Sequence, residues 1–80
     1  MARTRPDRLV LGAVLRSFRL RAGLSQEALA SRAGMHRTYI GQVERSERNP
    51  TFDSLERLLA ACDVTWAEFG TELDRATDAS

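Results

Sequence analysis

The sequence has little of what disulfide-bonded, metal-binding and membrane proteins need. Its 80 residues contain one cysteine, one histidine and no lysine. The single cysteine, Cys62, cannot form an intramolecular disulfide, and one histidine with one cysteine is too little for a cluster of metal ligands. No apolar run is long enough for a signal peptide or a membrane-spanning helix. We therefore expect a cytoplasmic protein that has no membrane contact and needs no metal or cofactor.

Residues arranged for catalysis are also missing from the sequence. No nucleophile stands at a fixed spacing from a base, and there is no glycine-rich loop that could hold a phosphate. Cys62 lies at helical spacing from Leu55, Leu58 and Leu59, which favours a place in the core over a reactive thiol. A chain of this length buries only about 60% of the surface that it exposes when unfolded, so its helices must share one small core. We expect one domain without enzymatic activity or a small-molecule ligand.

Charge is distributed unevenly along the chain. All twelve basic residues are arginine, and the formal net charge is only +1. Residues 1–50 contain ten arginines against four carboxylates, a net charge of +6, whereas residues 51–80 contain two arginines against seven carboxylates, a net charge of −5. This asymmetry favours a basic side that meets a polyanion and an acidic side that does not, although solvated helix faces would give a similar pattern.

Apolar residues recur at helical spacing, and no stretch alternates as a strand does. We predict five helices: about Arg8 to Ala22, Ser25 to Ala33, His36 to Arg45, one capped by Thr51, and one that begins at the capping box Thr65-Trp66-Ala67-Glu68. Gly23 and Gly34 are placed to end the first two helices. The predicted fold is a compact all-α domain over residues 8–75, between a flexible basic arm at residues 1–7 and a frayed tail at residues 76–80.

The turn between the second and third predicted helices has a specific spacing. Ala30 is small where a crossing helix would come close, and Gly34 supplies the positive φ of a sharp turn. Ile40 and Val43 then fill the angle between the two helices. Two short helices joined by a turn are common, but these residue types at these positions are typical of a helix-turn-helix.

From about Leu9 to Phe69 the sequence resembles the phage repressor and Cro type (XRE-like) of helix-turn-helix protein. Within that group, the segment HRTYIGQVERSERNP is most similar to the controller proteins of restriction-modification systems. The resemblance implies a compact lambda-repressor-like fold and a homodimer that binds a pseudo-palindromic operator in double-stranded DNA to regulate transcription. The alternative is an antitoxin-type protein-interaction module with secondary DNA binding, which would form a stable complex with a toxin.

The third predicted helix carries the residues expected to contact bases. If Ile40 and Val43 face inward, the 100° step of a helix turns a polar set outward. That set consists of Arg37, Thr38, Gly41 and Gln42. Arg37 can pair with guanine and Gln42 with adenine, while Thr38 can offer a methyl group to thymine or a hydroxyl to a base edge or a phosphate. The resemblance places base contacts at the same positions. An ordinary polar surface is the alternative.

Two residues of the third helix are harder to assign. Gly41 costs about 1 kcal/mol relative to alanine inside a helix. Its missing side chain would let the helix approach a DNA groove or would leave room for a neighbour, unless it is simply a tolerated weak residue. Tyr39 could pack on the core, reach a phosphate, or lean on flexible DNA steps.

Contacts to the DNA backbone are expected from residues that flank the third helix, namely Gln26, His36, Arg45, Arg48 and Asn49. Gln26 begins the second helix, where unpaired amide N–H groups favour a phosphate, and the resemblance implies that this glutamine contacts the backbone. His36 is otherwise a helix cap. Ser46 departs from the related proteins, which usually have glycine there. A left-handed backbone at Ser46 would cost about 1 kcal/mol.

Two charged residues, Arg19 and Glu44, fall beside apolar stripes. A buried charge is tolerated when it is paired. Related repressors join these two positions by an ion pair, so the resemblance implies a structural ion pair here.

The predicted fifth helix carries more apolar surface than the end of so small a domain needs. Trp66 and Phe69 lie on it, with Leu73 one turn later. A single recognition helix reads only a few base pairs, so a dimer would improve discrimination. We expect these three residues of the fifth helix, with the end of the fourth helix, to form a twofold dimer interface. The alternative is that both aromatic residues close the core of the monomer.

Overall fold

The computed structural model describes residues 8–79, which form five α-helices and no strand. The helices are α1 Arg8–Arg21, α2 Gln26–Ala33, α3 Arg37–Glu44, α4 Phe52–Ala61 and α5 Trp66–Ala79. The expected five-helix, all-α domain is therefore confirmed. The flexible basic arm predicted at residues 1–7 lies outside the described residues. Within the described range, no helix has the length and apolar character to cross a bilayer.

Each of the first four helices is followed by a residue with a left-handed backbone. These residues are Gly23 (φ 73°), Gly34 (φ 68°), Ser46 (φ 63°) and Asp63 (φ 59°). At each end the next residue donates its amide N–H back across the last turn, as in the 2.9 Å bond from Val64 to the carbonyl of Leu59. Two of these ends use glycine, which adopts positive φ without strain, whereas Ser46 and Asp63 each bear a cost of about 1 kcal/mol.

Side-chain caps begin three of the helices. The hydroxyl of Ser25 accepts from the amide of Ala28 at 3.0 Å, and that of Thr51 accepts from the amide of Ser54 at 3.0 Å. α5 has the predicted capping box, in which Thr65 and Glu68 each accept from the amide of the other, at 3.1 and 3.0 Å. The hydrogen bond from the Thr65 amide lowers the pKa of Glu68. These caps fix where the chain turns into each helix.

One small core holds the helices together. α1 packs against α3 and α5, while α2 packs against α3 and α4. The buried apolar side chains come from all five helices: Val14, Leu15, Phe18, Leu29, Ala30, Ala33, Ile40, Val43, Leu58, Leu59 and Phe69. Cys62 packs partly buried against this cluster, and burial raises the pKa of its thiol. Its position supports the packing role expected from its spacing.

α1 lies close to the end of α3 at Gly12. A Cβ added to Gly12 would lie 2.7 Å from the carbonyl oxygens of both Val43 and Glu44. A separation that short is a steric overlap, so no other residue fits without moving one of the helices. Gly12 therefore sets the distance between α1 and the last turn of α3.

The carboxyl-terminal end of α5 corrects one prediction. The helix continues to Ala79, four residues beyond the expected start of fraying after Arg75. Ala76 packs against the core, and the buried Thr77 donates its hydroxyl to the carbonyl of Leu73 at 2.7 Å. Burial of this last turn supplies tertiary stabilisation that helix periodicity alone does not reveal.

Candidate nucleic-acid interface

α3 has a buried side and an exposed side. Ile40 and Val43 are among the most deeply buried residues of the domain. On the opposite side Arg37 and Thr38 are exposed and Gln42 is half-buried. The polar set predicted from helical spacing thus faces outward, apart from Gly41.

Two surface depressions adjoin along this side of α3. The first is lined by Gln26, Arg37, Thr38, Gly41 and Arg45. The second is lined by Met35, His36, Thr38, Tyr39, Gln42, Arg48 and Ser54. The two share Thr38, so the structure brings together nine of the ten residues that the sequence assigned to base or backbone contacts. Asn49 is exposed in the loop after α3 but lines neither depression.

Arg37 lies beside a carboxylate from the helix that precedes it. Its Nη1 is 3.5 Å from Oε1 of Glu27, and both side chains are well exposed to solvent. An exposed pair at this separation contributes little to stability. Arg37 is consequently able to exchange Glu27 for an acceptor on a binding partner at small cost.

Gly41 is buried, contrary to the expectation of an outward-facing gap. The side chain that covers it is that of Arg45, one turn later. A Cβ added to Gly41 would lie 2.9 Å from Nη1 of Arg45. Of the two functional explanations offered for this glycine, the structure agrees with room for a neighbour, and the neighbour belongs to the same chain.

The guanidinium of Arg45 is held by Glu47, a residue that sequence reasoning did not single out. Nε lies 2.8 Å from Oε2 and Nη2 lies 3.3 Å from Oε1. This two-point contact raises the pKa of Arg45 and lowers the pKa of Glu47. The signal available in the sequence was the Arg45-Ser46-Glu47 spacing across a sharp turn.

Tyr39 is half-buried against the core, and its ring also faces the loop after α3. The guanidinium carbon of Arg48 lies 5.1 Å from the centre of that ring, within the range of a cation–π contact. Packing of Tyr39 was one of the alternatives left open by the sequence. Both side chains line the second depression, so the contact also positions Arg48 at the edge of the exposed side of α3.

The expected ion pair between Arg19 and Glu44 is present. Nε of Arg19 lies 2.6 Å from Oε2 of Glu44, and Nη2 lies 2.9 Å from Oε1. Arg19 also donates to the carbonyl of Leu24 at 2.9 Å, which satisfies the third nitrogen of its guanidinium. The hydrogen bonds to Glu44 raise the pKa of Arg19. This pair ties α1 to the last residue of α3.

Gln26 connects this ion pair to the surface. Its amide nitrogen donates to Oε1 of Glu44 at 3.1 Å, while the side chain lines the first depression. A side-chain amide has two N–H groups, so the bond to Glu44 leaves a second donor. The sequence suggested the surface role of Gln26 but not its bond to Glu44.

Arg57 of α4 holds the turn between α2 and α3. Its Nε donates to the carbonyl of Ala33 at 3.0 Å, and its Nη2 donates to the carbonyl of Gly34 at 2.7 Å. These bonds satisfy carbonyl groups at the end of α2. Sequence reasoning missed Arg57 because its partners are backbone atoms, which carry no sequence signal.

A pair of exposed aromatic residues lies on the acidic half of the chain. Phe52, 71% exposed, and Trp66, 42% exposed, stack with ring centroids 5.2 Å apart. Phe69 meets the edge of Trp66 at 6.0 Å but is only 6% exposed, and Leu73 is half-buried against the core. We call Phe52 and Trp66 the aromatic pair. Its first member was missed by the sequence analysis.

The burial of Phe69 corrects part of the dimer prediction. Phe69 is a core residue of the monomer, as the alternative held for both aromatic residues, because α5 packs against α1 with Phe69 among the other buried residues. Trp66 remains exposed, so the two aromatic residues of α5 divide between the core and the surface.

The charges around the two regions differ in sign. Arg37, Arg45 and Arg48 are exposed around α3. α4, α5 and the turn between them expose the carboxylates of Asp53, Glu56, Asp63, Glu68, Asp74 and Asp78. The exposed charge of α4 and α5 is therefore mainly acidic, although Arg57 and Arg75 are exposed there too, and the surface of α3 is the one suited to a polyanion.

Comparisons with known proteins agree with this geometry. Residues 10–75 match the helix-turn-helix domain family. The chain is 48% identical over 56 residues to control protein C.SmaI of Serratia marcescens, which covers 70% of this chain and 67% of that protein. It is 41% identical over 58 residues to control protein C.BamHI of Bacillus amyloliquefaciens, covering 71% of this chain and 72% of that protein.

This chain is also similar to a solved structure, over most of the length of both chains. It is the restriction-modification controller protein C.Esp1396I, crystallised as a tetramer in complex with its natural 35 base-pair operator. The TM-score is 0.83 at 33% identity, with 88% of this chain and 92% of that chain covered.

Proposed function

The chain belongs to the helix-turn-helix domain family, and we propose that it regulates transcription as a controller protein of a restriction-modification system does. It is a DNA-binding protein with α3 as the recognition helix, the helix that enters the major groove. The observation that carries this assignment is the exposed side of α3. Arg37, Thr38 and Gln42 lie there together on a helix whose opposite side is locked into the core.

Three residues are proposed to contact base edges. Arg37 has the planar fork that pairs with O6 and N7 of guanine, and Gln42 can pair with N6 and N7 of adenine. Thr38 lies between the two depressions and can contact a thymine methyl group. Because all three extend from one rigid helix, their relative positions are fixed before DNA binds.

The surrounding residues are proposed to contact the DNA backbone. Gln26 has a second amide N–H available at the amino-terminal end of α2, where unpaired backbone N–H groups also favour a phosphate. His36 and Arg48 line the second depression, with Tyr39 beneath Arg48, and Asn49 follows in the exposed loop. Contacts of this kind fix the position of the domain on the duplex but carry no sequence information.

We propose a homodimer that places two copies of α3 about 34 Å apart, one turn of DNA, on a pseudo-palindromic operator. The aromatic pair supports this proposal because two large stacked rings are exposed on the acidic half of the chain. Aromatic residues are enriched where proteins associate. Phe52 replaces the buried Phe69 as the partner of Trp66 in this interface, and Leu73, half-buried against the core, stays a proposed member of it.

The proposed cellular role requires only that the protein binds DNA. We propose that the protein acts in the cytoplasm and performs no catalysis of its own. Its effect on transcription would then depend on which operator sites are filled.

Selection from a random duplex library tests this function. The wild-type protein should enrich a sequence with two related half-sites. Its affinity for the enriched duplex should fall linearly with salt concentration on a log–log plot, because each phosphate contact displaces a condensed cation. Equal affinity for all duplexes, or affinity that does not respond to salt, would contradict the proposal.

A further inference from the structure

Glu47 holds the guanidinium of Arg45 over Gly41, on the exposed side of the recognition helix. We propose that Arg45 is a further base-reading residue, that it recognises guanine, and that Glu47 is its positioning residue. The inference rests on the proposed function. It also replaces the phosphate contact that the sequence suggested for Arg45.

The position of the guanidinium follows from the end of α3. Arg45 is the residue immediately after the helix, and its side chain turns back along the helix to lie over Gly41, with Nη1 2.9 Å from where a Cβ would be. It lines the first depression together with Arg37 and Thr38. The guanidinium of Arg45 therefore lies beside the residues proposed to contact base edges.

The glycine makes room for this arrangement. A side chain at residue 41 would start 2.9 Å from Nη1 of Arg45, so the end of the arginine would have to shift from its present position. The missing side chain of Gly41 thus leaves the space that Arg45 occupies. This explains the presence of a residue that otherwise weakens the helix.

The hydrogen bonds to Glu47 leave N–H groups of Arg45 available for a guanine. Glu47 accepts from Nε and Nη2, which occupies one edge of the planar guanidinium. Arginine has five N–H donors, so the terminal edge still offers one N–H from each of Nη1 and Nη2. Two parallel donors of this spacing match O6 and N7 of guanine in the major groove.

Charge decides between a base and a phosphate as the partner. A phosphate brought to Arg45 would also approach the carboxylate of Glu47, which lies 2.8 Å from Nε, and the two anions would repel each other. The O6 and N7 atoms of guanine are neutral acceptors and meet no such repulsion. The carboxylate also fixes the plane of the guanidinium, which a flexible arginine needs for two-point recognition.

Three variants, Arg45→Ala, Glu47→Gln and Gly41→Ala, test the inference in the same random duplex selection. The wild-type protein should enrich a guanine at one symmetric position that Arg45→Ala no longer selects, while the other enriched positions persist. Arg45→Ala should weaken binding to the enriched duplex by about 5- to 150-fold, the range of one bidentate base contact. The slope of affinity against salt should stay unchanged, because the proposed partner of Arg45 is a base and not a phosphate.

Glu47→Gln should lose selectivity at the same guanine and bind all duplexes more tightly, because the released arginine is free to meet phosphates. Gly41→Ala should also lose that guanine. Glu56→Gln is the matched control, since it removes the same charge from an exposed residue of α4 that lines neither depression. It should leave the selected sequence unchanged. Circular dichroism verifies that each variant keeps its helices.

The outcomes separate this inference from the proposed function. A wild-type protein that enriches no sequence overturns both. If the wild-type protein enriches a site and Arg45→Ala enriches the same site with the same guanine, the inference alone is overturned. A uniform loss of affinity in Arg45→Ala with a salt slope lower by about one would place Arg45 on a phosphate and overturn it as well.

Discussion

Nε of Arg19 on α1 lies 2.6 Å from Oε2 of Glu44 on α3, and the two side chains are only 8% and 4% exposed. A buried pair of this kind need not stabilise the fold relative to apolar residues of the same shape. It does make each partner dependent on the other, because removal of one leaves an unpaired charge in the interior.

Loss of either partner should therefore strongly destabilise the fold. We expect Arg19→Met or Glu44→Leu to lower the free energy of unfolding by about 3–5 kcal/mol. The double variant Arg19→Met with Glu44→Leu should lose less than either single variant. Urea unfolding of the three proteins measures this difference. Additive losses in the double variant would show that the two charges do not depend on each other.

Residues that contact bases should differ from those that contact phosphates. Arg37→Ala and Gln42→Ala should each cost about 1–3 kcal/mol and relax the preference at one base pair of each half-site. Arg48→Ala should instead weaken all duplexes alike and lower the salt slope by about one. Titration of the enriched duplex and of its single-base variants measures both effects. A uniform loss in Arg37→Ala would move that residue to the backbone contacts.

The aromatic pair should control the oligomeric state. A glutamate in place of Phe52 or Trp66 would bury a charge against an apolar partner surface, so each variant should sediment as a folded monomer at micromolar concentration. Leu20→Glu, the matched control, places the same charge on an exposed apolar residue of α1 and should leave the dimer intact. A wild-type protein that stayed monomeric and filled each half-site independently would contradict the dimer.

The left-handed residue after α4 offers a way to stabilise the protein. Asp63 has φ 59°, and it also places a negative charge at the carboxyl-terminal end of a helix, where the helix dipole disfavours it. Asp63→Gly should raise the free energy of unfolding by about 1 kcal/mol. Gly23→Ala is the reverse test: a Cβ there would meet no atom within 4 Å, so its expected loss of about 1 kcal/mol is backbone strain alone. If both variants unfolded at the same midpoint as the wild-type protein, the expected backbone strain would be contradicted.

The capping box of α5 predicts a dependence of stability on pH. The amide of Thr65 lowers the pKa of Glu68 in the folded protein below its ordinary value of 4.5. The bond therefore stabilises the fold above that pH and is lost as the pH falls through the lowered pKa. Glu68→Gln should unfold with a weaker pH dependence between about pH 5 and pH 3 than the wild-type protein. The control variant Glu56→Gln leaves the box intact. An unchanged pH profile in Glu68→Gln would count against this contribution.

Helices and their ends could be predicted because their signals are local. Ser25, Thr51 and Thr65 each precede a helix with a side chain suited to its first turn, and Gly23 and Gly34 follow helices that must reverse direction. Such signals depend on a few consecutive residues and survive without knowledge of the rest of the fold.

The features that could not be predicted from the sequence depend on the positions that distant residues and flexible side chains take in the folded protein. Helical spacing shows that the fifth helix has an apolar side, but it cannot tell whether that side meets its own core, as Phe69 does, or stays exposed, as Trp66 does. Arg57 binds backbone carbonyls 23 and 24 residues away. Arg45 covers Gly41 only because a long side chain turns back along its own helix.

The bonds of Glu44 have a consequence for how the protein can evolve. One carboxylate accepts from Arg19 in the interior and from Gln26 at the rim of the first depression. Selection for heat tolerance and selection for affinity to DNA would therefore act on the same atom. A lineage that replaced Glu44 would have to recover both traits together, whereas substitutions at Arg37 or Gln42 could change the target site and leave heat tolerance untouched.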